Sequence, residues 1–158
     1  CPGILIAQHI PPVFSRSFAE RLDQISALSV KEAADGEPVR DGCVYIAPGD
    51  QHLTVTIRKG QFVTQLDRGP RVCYQRPSVD VLFRSVARAA GSSATAALLT
   101  GMGSDGANGM KLLHSLGCHT IAQDEATSVV YGMPAEARSL GAVSEVLPLG
   151  RIASRLTE

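Results

Sequence analysis

The chain has 158 residues, 44% of them hydrophobic, enough for one buried core and too few for two. Fifteen basic and fifteen acidic residues cancel, so no net field gathers nucleic acid, anionic lipid or a strongly charged substrate. The four cysteines, Cys1, Cys43, Cys73 and Cys118, form no C-x-x-C pair and read as reduced thiols of a cytoplasmic protein, and no apolar run approaches the roughly 18 to 20 residues of a membrane span.

Cys1-Pro2-Gly3 runs straight into an apolar stretch with no initiator methionine, so the sequence reads as cut from something longer. Ile4 to Ala7 is continuously apolar, the pattern of a parallel strand buried on both faces, and it ends in the polar Gln8-His9. After the break at Pro11-Pro12, the spacing of Phe14, Phe18, Leu22 and Ile25 predicts one face of a helix. Strands are expected at Ser29 to Ala33 and Val44 to Ala47. Strict alternation over Leu53 to Ile57, then Lys59-Gly60 and Phe62 to Leu66, predicts an antiparallel hairpin with one packed face and one wet face. Ser78 stands where it caps a helix carrying Val79, Leu82, Phe83 and Val86 inward, and Gly91 stops that helix.

The remainder repeats a strand–turn–helix unit. Thr95 to Leu99 is a buried strand, Gly101 to Gly106 a glycine turn, and Ala107 to Leu116 a helix. Further strands are expected at His119 to Ala122 and Val143 to Val146, and helices at Pro134 to Leu140 and from Gly150. Strands alternating with helices predict an α/β fold with a mainly parallel, doubly wound sheet covered on both faces, a three-layer α/β/α arrangement decorated by the antiparallel hairpin. Residues 1 to 158 read as a single domain, with no linker and no low-complexity repeat.

Active sites of open parallel sheets form beyond the carboxyl ends of the strands, and both His9 and Asp105 fall there. Asp105 suits a buried acceptor at a helix N-terminus, where dipole and amides keep a carboxylate ionised and able to orient an imidazole. Two plainer readings compete: Asp105 as a simple helix cap, and His9 as a loop histidine bonded to backbone. Gly101, Gly103 and Gly106 also satisfy G-x-G-x-x-G, with Asp124 and Glu125 where a ribose-binding acid could sit, but Asp105 inside the turn would repel a pyrophosphate. His114 and His119 are expected on different elements, which disfavours a metal pair, and His52 reads as a turn residue before the hairpin. Ser104 lacks the glycine two positions before it that a nucleophile elbow requires, since Met102 stands there. No cofactor or metal site is expected.

Five blocks carry a resemblance. They are Gln8-His9-Ile10-Pro11-Pro12 with Phe18-Ala19-Glu20-Arg21-Leu22; Val44 to Gly49 with His52-Leu53; Arg76-Pro77-Ser78-Val79-Asp80-Val81-Leu82-Phe83; Leu99 to Gly106; and Ile121-Ala122-Gln123-Asp124-Glu125. In order and spacing, over essentially the whole chain, they resemble the catalytic domain of the chemotaxis receptor methylesterases, the CheB family of protein-glutamate methylesterases and protein-glutamine glutaminases. The resemblance implies that His9 is the general base, that Asp105 orients it, and that the Met102 amide, in the turn Gly101 to Gly103, helps hold an oxyanion. It implies serine attack on the γ-carbonyl of a receptor glutamate methyl ester, an acyl-enzyme, and release of methanol. It also implies methylated chemoreceptor cytoplasmic domains as partners, and in some members a phosphorylatable receiver domain that covers the site. The family's nucleophile lies on a Gly-x-Ser-Thr-Gly-Gly turn one βα unit before the histidine. No residue here replaces it, so the first strand and the nucleophile turn are expected to be missing from the chain and the isolated chain to be inactive. A non-catalytic receptor-docking domain of the same fold is the alternative, with dinucleotide binding behind it.

Overall fold

The computed structural model describes residues 1–158. β1 (Ile4–Ile6), β2 (Ser29–Glu32) and β3 (Cys43–Ile46) form a parallel sheet in the order β1-β3-β2. β4 (His52–Arg58) and β5 (Gln61–Asp67) form the antiparallel hairpin, closed by Lys59-Gly60 with positive φ at both residues, as a two-residue type I′ turn requires. β6 (Thr95–Leu98), β7 (His119–Gln123) and β8 (Glu145–Leu147) make a second parallel sheet in the order β6-β7-β8. The parallel strands therefore form two three-stranded sheets with no ladder between them, where the sequence predicted one. β1 pairs only with β3 and β6 only with β7.

Side chains do the joining. On one face of β1, Ile4 and Ile6 pack with Val30, Val44 and Ile46 beneath Ala19 of α1 (Pro12–Ile25). On the other, Leu5 and Ala7 meet Tyr45, Ala47, Leu53 of the hairpin and Leu82 of α2 (Val79–Ala90). This is the period-two alternation of a strand between two layers. Ala7 and Val86 also touch the larger core, in which Val79, Phe83 and Ala87 of α2 pack on Ala96 and Leu98 of β6 and on Met110 and Leu113 of α3 (Ala107–Ser115). α4 (Met133–Ser139) adds Met133 and Ala137 to that core, and α5 (Leu149–Thr157) lies across β6 and β7 with Ile152 buried. No helix is long and apolar enough to cross a membrane.

Two sequence expectations need correction. All three residues of β1 are only partly buried, because its second edge has no strand partner and stays open to solvent. In α1 the inward face is Ser15, Phe18, Ala19 and Leu22, while Phe14 and Ile25 are 58% and 75% exposed. The cause is polar: Ser15 Oγ donates to Glu32 at 2.6 Å and accepts the Gly49 amide at 3.0 Å, which turns the helix by about one position relative to the hydrophobic stripe.

α2 and α3 approach closely at Gly109, where a β-carbon would stand 2.7 Å from Phe83 Cβ and 3.1 Å from Asp80 Oδ1. Gly109→Ala should therefore destabilise by about 1–3 kcal/mol in urea denaturation, the range for overpacking. Gly150→Ala, whose new carbon meets nothing within 4 Å, should cost nothing or stabilise slightly, so equal losses in the two variants would contradict this packing.

Candidate active site

His9 follows β1 by three residues and is placed by what comes after it. Pro12 takes the first helical position of α1, where its missing amide and fixed φ are harmless. The loop after β3 backs onto this segment so closely that only a glycine fits at Gly49, against Pro11 and Pro12. Asp105 leaves β6 through the turn 99–106. Its side chain is 1% exposed by residue, and its Oδ2 lies 2.6 Å from His9 Nε2. Two residues 96 positions apart are thus joined by a short hydrogen bond at the carboxyl ends of β1 and β6.

The carboxylate is surrounded by donors. Oδ1 accepts the Ser78 hydroxyl at 2.7 Å and the Asp80 amide at 3.0 Å, and Oδ2 accepts the Val79 amide at 2.8 Å beside His9. Val79 and Asp80 open α2, so Asp105 caps α2 from another part of the chain and not the helix that follows it. α3 begins at Gly106 with no side-chain cap of its own. Its Gly109 amide donates to Asp80 Oδ1 at 2.7 Å, so α2 supplies an acid to the first turn of α3 while the turn before α3 supplies Asp105 to α2. Burial opposes ionisation of Asp105, but His9, the Asp80 amide, the Ser78 hydroxyl and the Val79 amide together outweigh it and hold the carboxyl below its ordinary range.

An ionised carboxylate only accepts, so His9 Nε2 carries the proton and the lone pair of the neutral ring stands at Nδ1. The imidazole can thus take a proton at Nδ1 while its positive charge is stabilised through Nε2. Met102 is 80% exposed, and the amides of Met102 and Gly103 donate to no group of the fold, which leaves two free N–H donors on the Asp105 turn. Gly132 lies under this turn, where a β-carbon would stand 2.6 Å from the Gly101 carbonyl oxygen.

The other sequence candidates fall elsewhere. Two glycines of the G-x-G-x-x-G pattern serve packing, Gly101 backing onto Met133 and Gly106 onto Leu98 and Val79, and Gly103 takes a positive φ in the turn. Asp124 accepts the Thr127 amide and hydroxyl in a local turn. His114 contacts Thr120, whereas His119 sits 3.5 Å from Glu145, so they form no pair. His52 is not a turn residue; it opens β4, is buried, and accepts the Ser78 amide at Nδ1.

Sequence reasoning read Ser78 only as a cap, and missed Cys73 and Asp80. The Cys73 thiol donates to Asp80 Oδ2 at 3.6 Å, and burial, reinforced by the charges of Asp80 and Asp105, pushes its pKa up. One ligand atom from each of Cys73, Asp80 and Asp105 lies within 4.8 Å of the others. Both Asp105 oxygens are already engaged by donors of the fold, so the set does not suit a metal ion.

The depressed Asp105 carboxyl stabilises the fold fully above its unfolded value near 3.8, and this contribution is lost as pH falls through the lower native value. The urea stability difference between the parent and Asp105→Asn should be constant near neutrality and shrink progressively below about pH 4. A difference that grows on acidification would contradict the donor arrangement around Asp105.

Comparison with known proteins places this geometry. The family profile described as CheB methylesterase matches residues 1–156. Protein-glutamate methylesterase/protein-glutamine glutaminase 1 of Hahella chejuensis is 58% identical over 153 residues, covering 97% of this chain and 42% of the relative. Protein-glutamate methylesterase/protein-glutamine glutaminase of Enterobacter cloacae is 54% identical over 154 residues, covering 98% of this chain and 44% of the relative. The chain thus spans less than half the length of these curated relatives. The crystal structure of the Thermotoga maritima CheB methylesterase catalytic domain superposes with a TM-score of 0.95 at 42% identity, covering 98% of this chain and 82% of that one. With profile, sequence and backbone agreeing from end to end, the chain belongs to the CheB methylesterase family.

Proposed function

We propose that residues 1–158 are one catalytic domain, lacking its nucleophile, of a cytoplasmic enzyme that hydrolyses glutamate γ-methyl esters on chemoreceptor cytoplasmic domains and deamidates receptor glutamines. The observation that carries the proposal is the 2.6 Å bond from His9 Nε2 to a buried, fully hydrogen-bonded Asp105. His9 is the general base, acting through Nδ1 on a serine that the proposal draws from outside these residues. The only hydrogen-bond partner of the His9 ring within the chain is Asp105.

The serine oxygen attacks the γ-carbonyl, His9 takes its proton, and the Met102 amide, with Gly103 beside it, donates to the oxyanion. Asp105 stays ionised throughout and stabilises the imidazolium. Collapse of the tetrahedral intermediate expels methanol, or ammonia from an amide, with the proton returned by His9. Water then attacks the acyl-enzyme by the same route and frees the glutamate. A glutamine amide presents the same carbonyl, so one arrangement serves both substrates.

The surroundings support a macromolecular substrate. Met102 on the Asp105 turn, Tyr74 beside Cys73 and Val129 in the loop bonded to Thr100 and Gly101 are all strongly exposed, an apolar fringe suited to a protein surface. Balanced charge argues for a site that reads shape and a neutral ester more than a charged ligand. Docking to a phosphorylatable receiver domain belongs to the same proposal, and the greater length of the relatives leaves room for it.

Methanol release from methylated receptor tests the reading in the longer protein. His9→Ala should lower kcat by about 10⁶-fold and Asp105→Asn by about 10⁴-fold, the usual costs of losing the base and the orienting acid of such a triad. Residues 1–158 alone should release none. Full activity in both variants would refute the roles given to His9 and Asp105.

A further inference from the structure

Asp105 is the group that touches His9, but its own placement is set by what stands behind it. Ser78 is fully buried, and its polar groups point three ways. The hydroxyl donates to Asp105 Oδ1 at 2.7 Å, the hydroxyl oxygen accepts the Val81 amide at 3.4 Å, and the Ser78 amide donates to His52 Nδ1 at 3.2 Å. The capping bond to Val81 is at the outer limit of a hydrogen bond, whereas the bond to the carboxylate has ordinary length. A serine serving only as a helix cap would show the reverse.

His52 extends the line. Its Nε2 lies 2.8 Å from the Pro70 carbonyl, which can only accept, so Nε2 carries the proton and Nδ1 offers its lone pair to Ser78. One neutral tautomer satisfies both contacts, and the ring is buried. Pro70 belongs to the loop 68–77, which is itself tied down where Arg76 donates to Asp50 at 2.6 and 3.0 Å and to the Gly69 carbonyl at 3.1 Å. From a braced loop, an unbroken line of hydrogen bonds runs through His52, Ser78 and Asp105 to His9.

We propose that Ser78 and, behind it, His52 are positioning residues that fix the Asp105 carboxylate and through it the His9 imidazole. The proposal rests on the reading of His9 as a base, but its test involves no turnover. Two backbone amides already hold Asp105 along the α2 axis. The Ser78 hydroxyl adds the one side-chain donor to Oδ1, and together with the amide on each oxygen it opposes rotation of the carboxylate about its own Cβ–Cγ bond. With rotation blocked, Oδ2 remains aimed at Nε2. His52 contributes by fixing the backbone from which that hydroxyl projects.

Proton NMR of the chain reads the His9 Nε2 proton directly, because a short charge-assisted bond moves it far downfield and slows its exchange with water. Ser78→Gly keeps a competent N-cap residue and removes the hydroxyl, so it should still fold, with a lowered melting temperature from the donor lost to the buried carboxylate, while the His9 resonance moves upfield or is lost. His52→Leu should do the same to the resonance. His52→Asn, whose side-chain carbonyl takes the place of Nδ1 as acceptor, should restore it. An unchanged resonance in Ser78→Gly overturns the proposal, as does absence of the resonance from the parent chain. Equal loss in His52→Leu and His52→Asn, or retention in both, overturns the part assigned to His52. If Ser78→Gly does not fold, the His52 pair decides alone: retention in His52→Leu overturns the line, and loss there with recovery in His52→Asn upholds it. Failure here with methanol release still dependent on His9 leaves the hydrolase reading standing, so the two are separable.

Discussion

The site rests on a carboxylate taken out of water and given the end of a helix in exchange. A buried charge of this kind is costly unless every lone pair is met, and Asp105 meets that condition with two backbone amides, a hydroxyl and an imidazole. The amides belong to the first turn of α2, so they are unpaired within their own helix and carry its positive end. Asp80 returns the arrangement to α3 through Gly109, and the two buried acids can sit near each other because each faces a helix N-terminus. The packing of α2 on α3 and the orientation of His9 are therefore consequences of one set of contacts. Gly109 and Gly106 are small for this reason: each lies where the helices and β6 come too close for a side chain.

Much of this was legible in the sequence, and the parts that were not share a cause. Strand and helix order followed from apolar runs, from the alternation in the hairpin, and from Ser78 and Gly91 at the ends of α2, all of which are local signals. His9 and Asp105 were placed at strand ends for the same reason. What periodicity could not reveal was a partner distant in the chain. Asp105 looked like the cap of the helix that follows it, since nothing in a linear reading says that Val79 and Asp80, about 25 residues earlier, need an acceptor. Ser15 displaced the hydrophobic face of α1 through contacts with Glu32 and Gly49 that belong to tertiary structure. His52 was misread because one histidine before a strand says nothing about what meets its two nitrogens. The five matching blocks identified the family, but they could not say which atom of His9 is bonded, because that depends on how the ring is turned in the folded chain.

The orientation of the imidazole bears on how the site is used. Because Nε2 faces Asp105, the basic nitrogen is Nδ1, the ring atom nearer the backbone, and the nucleophile must approach from that side. The unused amides of Met102 and Gly103 lie on the turn that delivers Asp105, so the carboxylate that steadies the base and the donors that meet the developing negative charge are carried by one short segment. Gly132 and Met133 support that segment from below, tying it to the start of α4. The Cys73 thiol, its pKa pushed up by burial, adds a weak donor to Asp80 of the buried carboxylate pair.

The 96-residue separation of His9 and Asp105 also sets an order of events during synthesis. Asp80, Asp105 and Gly109 are separated by at most 29 positions, so the clasp between α2 and α3 closes a short loop at modest entropic cost once α3 has left the ribosome. By then β1 and its histidine have long been exposed, waiting for a partner not yet translated. The imidazole can be oriented only after residue 105 has emerged, so a chain halted before that point carries His9 without the carboxylate that aims it.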